Sequence, residues 1–363
     1  MHLTHNECTI LRGLAILAIV LHNWTHWLSF AVKENEYTFS MHNVQRLFFE
    51  LQHPDNDLLI HILSFFGHYG VPLFLFLSGY GLVLKYEKTT TLPTPDAHTP
   101  HHSISFLSVS HSKKDSPLSF ITTHFVKLFR MMIIGYVLFI IFNAVMKQIY
   151  RPDFEHVIAQ LTMVNNLFPH PDRIITPGPY WFFGLMLQLY IIYRVILYRR
   201  SDSIAITLII ITWLIQALLP ISEKETLNYL RYNCVGSILP FVTGILAARH
   251  GLPRLNKTTA ALTLLITIPL IVFGSLTYQA WLWVPVAVII AGIALVKLLP
   301  QRIHMPFIWT GTISAALFVV HPTLRIIFLP AKHTQQPYTT LLIFLITSLL
   351  AAYIMTPWLN RKK

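Results

Sequence analysis

Stretches of about twenty mostly apolar residues recur along most of this 363-residue chain. A helix that crosses a bilayer needs about 20 such residues at ~1.5 Å rise each, because the apolar core of a membrane is ~30 Å thick. The sequence therefore predicts an all-α polytopic membrane protein with about ten transmembrane helices. The predicted spans are residues 9–30, 58–84, 124–147, 180–198, 204–220, 233–249, 258–275, 278–297, 305–328 and 338–359.

Composition supports the bilayer as the solvent of this chain. Hydrophobic residues make up 54% and charged residues only 12%, whereas soluble domains carry about 25% charged residues. The net charge of +12 is better explained by topology than by nucleic acid binding, since cytoplasmic loops are enriched in Lys and Arg. With the N-terminus inside, the inner loops hold eleven such residues and the C-terminal tail three more, against eight in the outer loops. Both termini are predicted to be cytoplasmic, in a multi-pass protein of the cell membrane surrounded by lipid.

Long connections divide the predicted membrane domain, which occupies residues 1–363 as a single unit. Residues 31–57 include a segment around Val44 with apolar residues at helical spacing, which predicts a short helix at the membrane interface. Residues 154–168 show a similar helical pattern. Residues 86–123 are rich in Thr, Ser, Pro and His and predict a flexible cytoplasmic loop. Its histidines have no cysteine partner and no ordered spacing, so no metal site is predicted there or elsewhere.

Ionisable side chains inside a predicted span are the first candidates for function, because they are costly to place in a membrane. The first span holds Arg12, His22 and His26. His22 lies about 15 Å beyond Arg12 along a helix. A histidine at that depth is a candidate general base, since its ordinary pKa is close to neutral. The alternative is that Arg12 anchors the span at the interface and that His22 forms hydrogen bonds between packed helices.

Five sequence blocks together resemble the acyltransferase 3 family of membrane acyltransferases. They occur in the order of the family and are spread over most of the chain, and ten spans agree with its membrane domain. The blocks are Leu11 to His22, Val71 to Tyr80, His124 to Arg130, Pro179 to Phe183, and Ala315 to Pro322.

The resemblance implies transfer of an acyl group, often acetyl, from cytoplasmic acyl-CoA to a hydroxyl of a glycan. The acceptor would be a cell-surface or exported glycan or a lipid-linked saccharide, and no cofactor would be bound. Arg12 and His22 match the basic residue and the histidine of the family's first span. The family usually places ten residues between them, and this chain has nine. That offset turns the helix about 80° away from alignment, so either a local bulge restores the pairing or it is looser. His26 shares the face of His22 by i,i+4 spacing and is a second candidate base.

Four further residues are candidates for substrate binding. Lys127 and Arg130 lie at i,i+3 at the cytoplasmic start of the third span, where they would meet the phosphates of CoA or simply mark topology. His321 and Arg325 in the ninth span would line the acceptor path, or His321 would serve helix packing. His68 is interpreted as a packing or cavity residue. Aromatic residues near the outer span ends would stack on sugars or form an interfacial belt; they are Trp24, Trp27, Tyr180, Trp181, Trp281 and Trp283.

Two other classes of protein compete with this hypothesis. A transporter or flippase also uses buried Arg and His, but the internal repeats expected of many transporters are not visible in the sequence. A non-catalytic scaffold is the third class, and it would require the intramembrane polar residues to be dispensable.

Overall fold

The computed structural model describes residues 1–88, 116–146, 153–328 and 334–360. Helix makes up 79% of it, and these residues contain no strand. The predicted all-helical class is therefore confirmed. The helices are α1 His5–Thr25, α2 Met41–Gln52, α3 Leu58–Phe66, α4 Gly70–Tyr86, α5 Pro117–Val145, α6 Phe154–Leu161, α7 Pro171–Ile174, α8 Trp181–Ile192, α9 Asp202–Ala217, α10 Lys224–Tyr232, α11 Ile238–His250, α12 Lys257–Gly274, α13 Tyr278–Trp281, α14 Val284–Leu298, α15 His304–Thr312, α16 Ser314–Ile327 and α17 Pro337–Asn360.

Six helical segments of the described residues are long and apolar enough to cross a membrane. They are His5–Thr25, Leu58–Tyr86, Pro117–Val145, Gly178–Leu197, Lys257–Gly274 and Pro337–Leu359. Helices α9, α11 and α16 are apolar but have only 16, 13 and 14 residues. At ~1.5 Å per residue they are about 20–24 Å long. The count of ten spans and the cytoplasmic position of both termini are not confirmed and stay predictions.

The ninth predicted span, 305–328, is two helices in the structure. The chain turns by 112° between Val284–Leu298 and Gln301–Thr312, and α15 then ends just before Ile313. Helix α15 packs against α1, and Gly311 is one point of close approach. A Cβ atom at Gly311 would overlap the main-chain oxygen of Thr9, so the two backbones are in direct contact. This contact sets the path of α15 independently of α16.

The structure contains helices in both predicted loop segments, and one membrane helix begins earlier than predicted. Helix α2 confirms the short helix expected around Val44, and α6 lies in the predicted 154–168 segment. Helix α5 begins at Pro117, seven residues before the predicted start of the third span. The Ser116 hydroxyl accepts the N–H of Ser119 at 3.1 Å and Pro117 is at the first helical position, a combination that favours helix initiation. Most of the predicted 86–123 loop, residues 89–115, lies outside the described residues.

Helix α1 is at the centre of the bundle, where it packs against α3, α4, α15 and α16. Of its apolar window 61% is buried, against 17% for α12 and 22% for α17. The outer helices instead expose large aliphatic side chains, such as Leu265 and Ile354. Apolar residues outside and polar residues inside are the arrangement expected of a protein whose solvent is lipid.

Ion pairs tie the ends of α4, α9 and α11 together. The Arg249 guanidinium donates to the carboxylate of Glu87 at 2.9 and 3.1 Å and to that of Asp202 at 2.9 Å. Arg249 also donates to the main-chain oxygen of Leu197 at 2.8 Å. Two-pronged contact of this kind is the geometry in which Arg binds carboxylates best.

Candidate active site

One cavity of about 1070 Å³ runs along α1. Its wall extends from Arg12 through His22 to Trp27. These 15 steps correspond to about 22 Å of helix, most of the ~30 Å thickness of a bilayer core. Most of the rest of the wall comes from α4, α5, α8, α10, α15, α16 and residues 35–38. Residues predicted from sequence to act at opposite ends of the reaction path therefore line one continuous space.

Three cations line the same end of the cavity: Arg12, Lys127 and Arg130. The start of α1 lies beside α4, and the N–H of Leu3 donates to the Tyr80 hydroxyl there at 2.8 Å. The start of α5 packs there as well. The Phe120 ring lies 5.0 Å from that of Tyr86, measured between centroids. The structure thus brings together the three basic residues that the sequence pointed to.

The imidazole of His22 is held by a main-chain carbonyl. Its Nδ1 atom lies 2.9 Å from the oxygen of Ser64 in α3. Because a carbonyl only accepts, Nδ1 carries the hydrogen and Nε2 of the neutral ring keeps its lone pair. The Ser64 hydroxyl in turn donates to the main-chain oxygen of Val32 at 2.5 Å. His22 therefore has the tautomer and the fixed orientation that a general base needs.

A glycine allows this contact between α1 and the α3–α4 segment. At Gly67 an added Cβ would lie 2.7 Å from the Cβ of His22 and 2.9 Å from the main-chain oxygen of Ala18. Any larger side chain would push the two segments apart. Gly67 begins the short 3-10 turn between α3 and α4, so the break in the second predicted span lies directly against the histidine.

Two more histidines surround His22. The ring of His26 lies 4.9 Å away and that of His68 lies 5.6 Å away, both measured between centroids. Both line the cavity, and the i,i+4 neighbourhood of His22 and His26 is confirmed. Sequence analysis did not select His68 as a site residue. The signal available was a histidine between two glycines, which marks a close helix approach.

Helix α1 has no bulge between Arg12 and His22. It is one α-helix from His5 to Thr25, so the offset of ten residues is not corrected locally. Both side chains nevertheless reach the same cavity. The structure therefore has the looser pairing of Arg12 and His22, without a bulge.

The two candidate residues in α16, His321 and Arg325, have different surroundings. The Arg325 guanidinium lines the cavity, donates to the main-chain oxygen of Asn23 at 3.3 Å and lies 4.5 Å above the Trp27 ring. His321 is fully buried, and its Nδ1 donates to the main-chain oxygen of Leu317 at 2.9 Å. The described wall does not include His321, so the structure does not place it on the expected path. A longer side chain at position 325 reaches past the helix surface, whereas the imidazole packs against it.

Aromatic and polar residues line the other end of the cavity. The Tyr37 ring stacks on that of Tyr232 at 4.0 Å and meets Trp181 edge-on at 5.1 Å, centroid to centroid. Of the aromatic residues named from sequence, Trp27 and Trp181 are on the wall. Polar residues also line this end, namely Asn35, Glu36, Thr38, Asp172 and Asn228. Stacked rings beside hydrogen-bonding side chains are suited to a ligand with apolar faces and polar edges.

Two acids belong to the 31–40 loop at this end, Glu34, which is buried, and Glu36, which is half-buried. Burial raises the pKa of Glu34 to about 8 and that of Glu36 to about 7. The Arg231 cation opposes both shifts, and its Nε donates to the main-chain oxygen of Glu36. Arg231 itself lies 4.1 Å above the Trp281 ring. Neither acid was predicted from sequence to be a site residue.

One group among the described residues has the composition of a metal site: Glu50, Asp55 and His61. His61 Nδ1 accepts the N–H of Val32 at 3.1 Å. Its Nε2 therefore carries the hydrogen and faces Glu50 at 3.7 Å. A metal ligand must offer a lone pair, and in this tautomer His61 has none free to offer.

The fold and cavity define a multi-pass helical membrane protein that encloses an oriented histidine between a cationic end and an aromatic end. The family model for the acyltransferase domain of acyltransferase 3 matches residues 6–357, and the chain belongs to this family. The match confirms the resemblance carried by the five sequence blocks and indicates a membrane acyltransferase. It gives no support to the transporter alternative. No curated protein and no solved structure matches the chain.

Proposed function

We propose that this protein transfers an acetyl or similar acyl group from cytoplasmic acyl-CoA to a hydroxyl of a cell-surface or exported glycan. The observation that carries the proposal is the single cavity along α1, with cations at one end, His22 between, and aromatic residues at the other end. The protein would reside in the cell membrane, with the cationic end on the cytoplasmic side.

The cationic end suits the phosphates of CoA. Arg12, Lys127 and Arg130 supply three positive charges around one opening, and Arg and Lys are the usual partners of phosphate. The pantetheine arm has about the length of four extended residues, or ~14 Å at ~3.5 Å each. Arg12 and His22 are about 15 Å apart along α1. A donor anchored at the cations would therefore present its thioester at His22.

The reaction at His22 follows from its tautomer. Nε2 takes the proton of the acceptor hydroxyl while the hydroxyl oxygen attacks the carbonyl carbon of the thioester, and a C–O bond forms. The electron pair of the carbonyl moves to its oxygen. When the carbonyl reforms, the C–S bond breaks and the sulfur leaves with the electron pair. His22 returns its proton to that sulfur, giving free CoA and the ester. His26, at 4.9 Å, is the second candidate for the same role.

The aromatic end suits a saccharide acceptor. Sugar rings carry apolar faces and hydroxyl edges, which match Tyr37 and Trp181 together with Asn35 and Asn228. A free or lipid-linked saccharide would enter from this end, with Arg325 beside the path to His22.

The test is mass spectrometry of surface glycans from cells that lack the protein and express wild type, His22→Ala, His26→Ala or His61→Ala. We expect an acyl mass increment with wild type and His61→Ala, and its loss in the deletion and with His22→Ala at equal membrane abundance. His61 is a buried histidine away from the cavity, so it controls for loss of an imidazole. Unchanged glycans in every sample would reject a glycan acceptor. Normal acylation with both His22→Ala and His26→Ala would reject the assigned base.

A further inference from the structure

His68 is a buried imidazole without a partner. Its side chain is 1% exposed, and both Nδ1 and Nε2 are buried with no hydrogen-bond partner among the described residues. Its ring packs at 4.1 Å against that of Tyr69 and at 5.6 Å from that of His22, centroid to centroid. Buried polar atoms are almost always paired, so an unpaired pair of ring nitrogens on a cavity wall needs an explanation.

Three nearby polar side chains already have partners. His22 Nδ1 is engaged by Ser64, and the Tyr69 hydroxyl is paired with that of Ser275 at 2.6 Å. Asn23 uses its amide nitrogen on the main-chain oxygen of Ile19 at 2.9 Å. His26 Nδ1 is also buried without a hydrogen-bond partner among the described residues. His68 differs from His26 because neither of its ring nitrogens has such a partner, so its N–H is left for a ligand. A neutral imidazole always carries one N–H, so a donor is available whichever tautomer is present.

We propose that the N–H of His68 binds the carbonyl oxygen of the acyl thioester and stabilises the oxyanion formed when the acceptor attacks. This assignment rests on the proposed function. In the tetrahedral intermediate the former hydroxyl oxygen is on the side of His22 and the oxyanion is one carbon away. The two ring centroids are 5.6 Å apart, close enough for one carbon that carries both oxygens to lie between the two imidazoles. No proton or electron pair passes to His68, which donates one hydrogen bond throughout.

The experiment compares ligand affinities of the full chain in lipid nanodiscs. The probes are CoA and S-(3,3,3-trifluoro-2-oxopropyl)-CoA, a ketone whose hydrate resembles the tetrahedral intermediate. Variants are His68→Leu, which removes the donor, and His68→Gln, which keeps an N–H. The same two substitutions at His61 are matched controls, because His61 is also buried but lies off the cavity.

We expect wild type to bind the ketone at least ~100-fold more tightly than CoA. His68→Leu should lose about 10- to 100-fold of that preference with unchanged CoA affinity, and His68→Gln should keep most of it. An unchanged preference in His68→Leu would overturn the assignment and leave the proposed function standing. Equal loss of CoA affinity in both His68 variants would show a packing role and also overturn it. If wild type binds neither probe, the proposed function fails and the assignment falls with it.

Discussion

The Nδ1 atom of His22 lies 2.9 Å from the main-chain oxygen of Ser64, so α3 fixes the imidazole that α1 carries into the cavity. A main-chain acceptor cannot be removed by substitution at position 64 while the backbone keeps its path. The orientation of the ring therefore depends on how closely the two segments approach, and Gly67 sets that distance.

Gly67→Ala should damage the site through this contact. An added methyl group 2.7 Å from the His22 Cβ forces a shift, and such overpacking costs about 1–3 kcal/mol. We expect acylation to fall at least ~10-fold, because small displacements of a catalytic group have large effects. The control is Gly81→Ala, where no heavy atom lies within 4 Å of the new Cβ. The rate of acylation and the thermal unfolding midpoint are measured for both variants. Equal values for Gly67→Ala and Gly81→Ala would contradict the prediction.

Lys127→Ala and Arg130→Ala should weaken donor binding and spare the chemical step. Each removes a charge from the cationic end of the cavity. We expect the KM for acetyl-CoA to rise about 10-fold per residue, equal to ~1.4 kcal/mol, with kcat little changed. The difference from wild type should shrink in high salt. Lys224→Ala removes an exposed cation from α10 and should change neither constant. A fall in kcat alone would argue against phosphate binding.

Glu34→Gln should change the pH dependence of stability. The pKa of Glu34 is raised from 4.5 to about 8 by burial. The folded chain holds this proton more tightly than the unfolded chain, so the stabilisation is present at low pH and is lost as pH rises from about 4.5 through about 8. At pH 8 and above the amide should raise stability by at least ~1 kcal/mol, or about 2 °C in Tm.

Thermal unfolding of wild type and Glu34→Gln at pH 5 and pH 8.5 measures this effect. The exposed Glu225→Gln serves as the control. A variant less stable than wild type at the higher pH would show that Glu34 is ionised and paired in the folded protein.

Arg249→Ala should destabilise the helical bundle, at a position that does not line the cavity. It leaves the half-buried Glu87 and Asp202 carboxylates without their shared partner, and both Arg249 and Glu87 are only 12% exposed. We expect a loss of about 2 kcal/mol. Arg249→Lys should recover part of it, because one ammonium cannot bind both carboxylates in the same geometry. Arg254→Ala, at an exposed position, should have no effect on the thermal midpoint.

Sequence alone predicted those features that depend on helical periodicity and composition. The apolar segments are helical, and His22 and His26 are neighbours because i,i+4 positions share a face. The break at Ile313 was missed, although Gly311 and three polar residues, Thr310, Thr312 and Ser314, surround it in the sequence. These residues allow a break but do not require one, and the contact between the α1 and α15 backbones is a tertiary feature.

The remaining site residues depend on tertiary packing. His68 reaches His22 only because a glycine turn folds against α1. His321 and Arg325 were both expected to line the acceptor path, but only the longer arginine side chain reaches the cavity. Glu34 belongs to a loop whose burial could not be read from local sequence.

The length of the cavity along α1 has a consequence for energy as well as for chemistry. In the proposed reaction, the base lies about 15 Å from the cations and the acceptor arrives at the aromatic end, so the highly charged nucleotide of the donor need never leave its own compartment. Only a small uncharged fragment changes sides, and it does so already esterified to its destination. Such an arrangement would modify molecules on the far side of a membrane with neither an ion gradient nor a carrier for the donor.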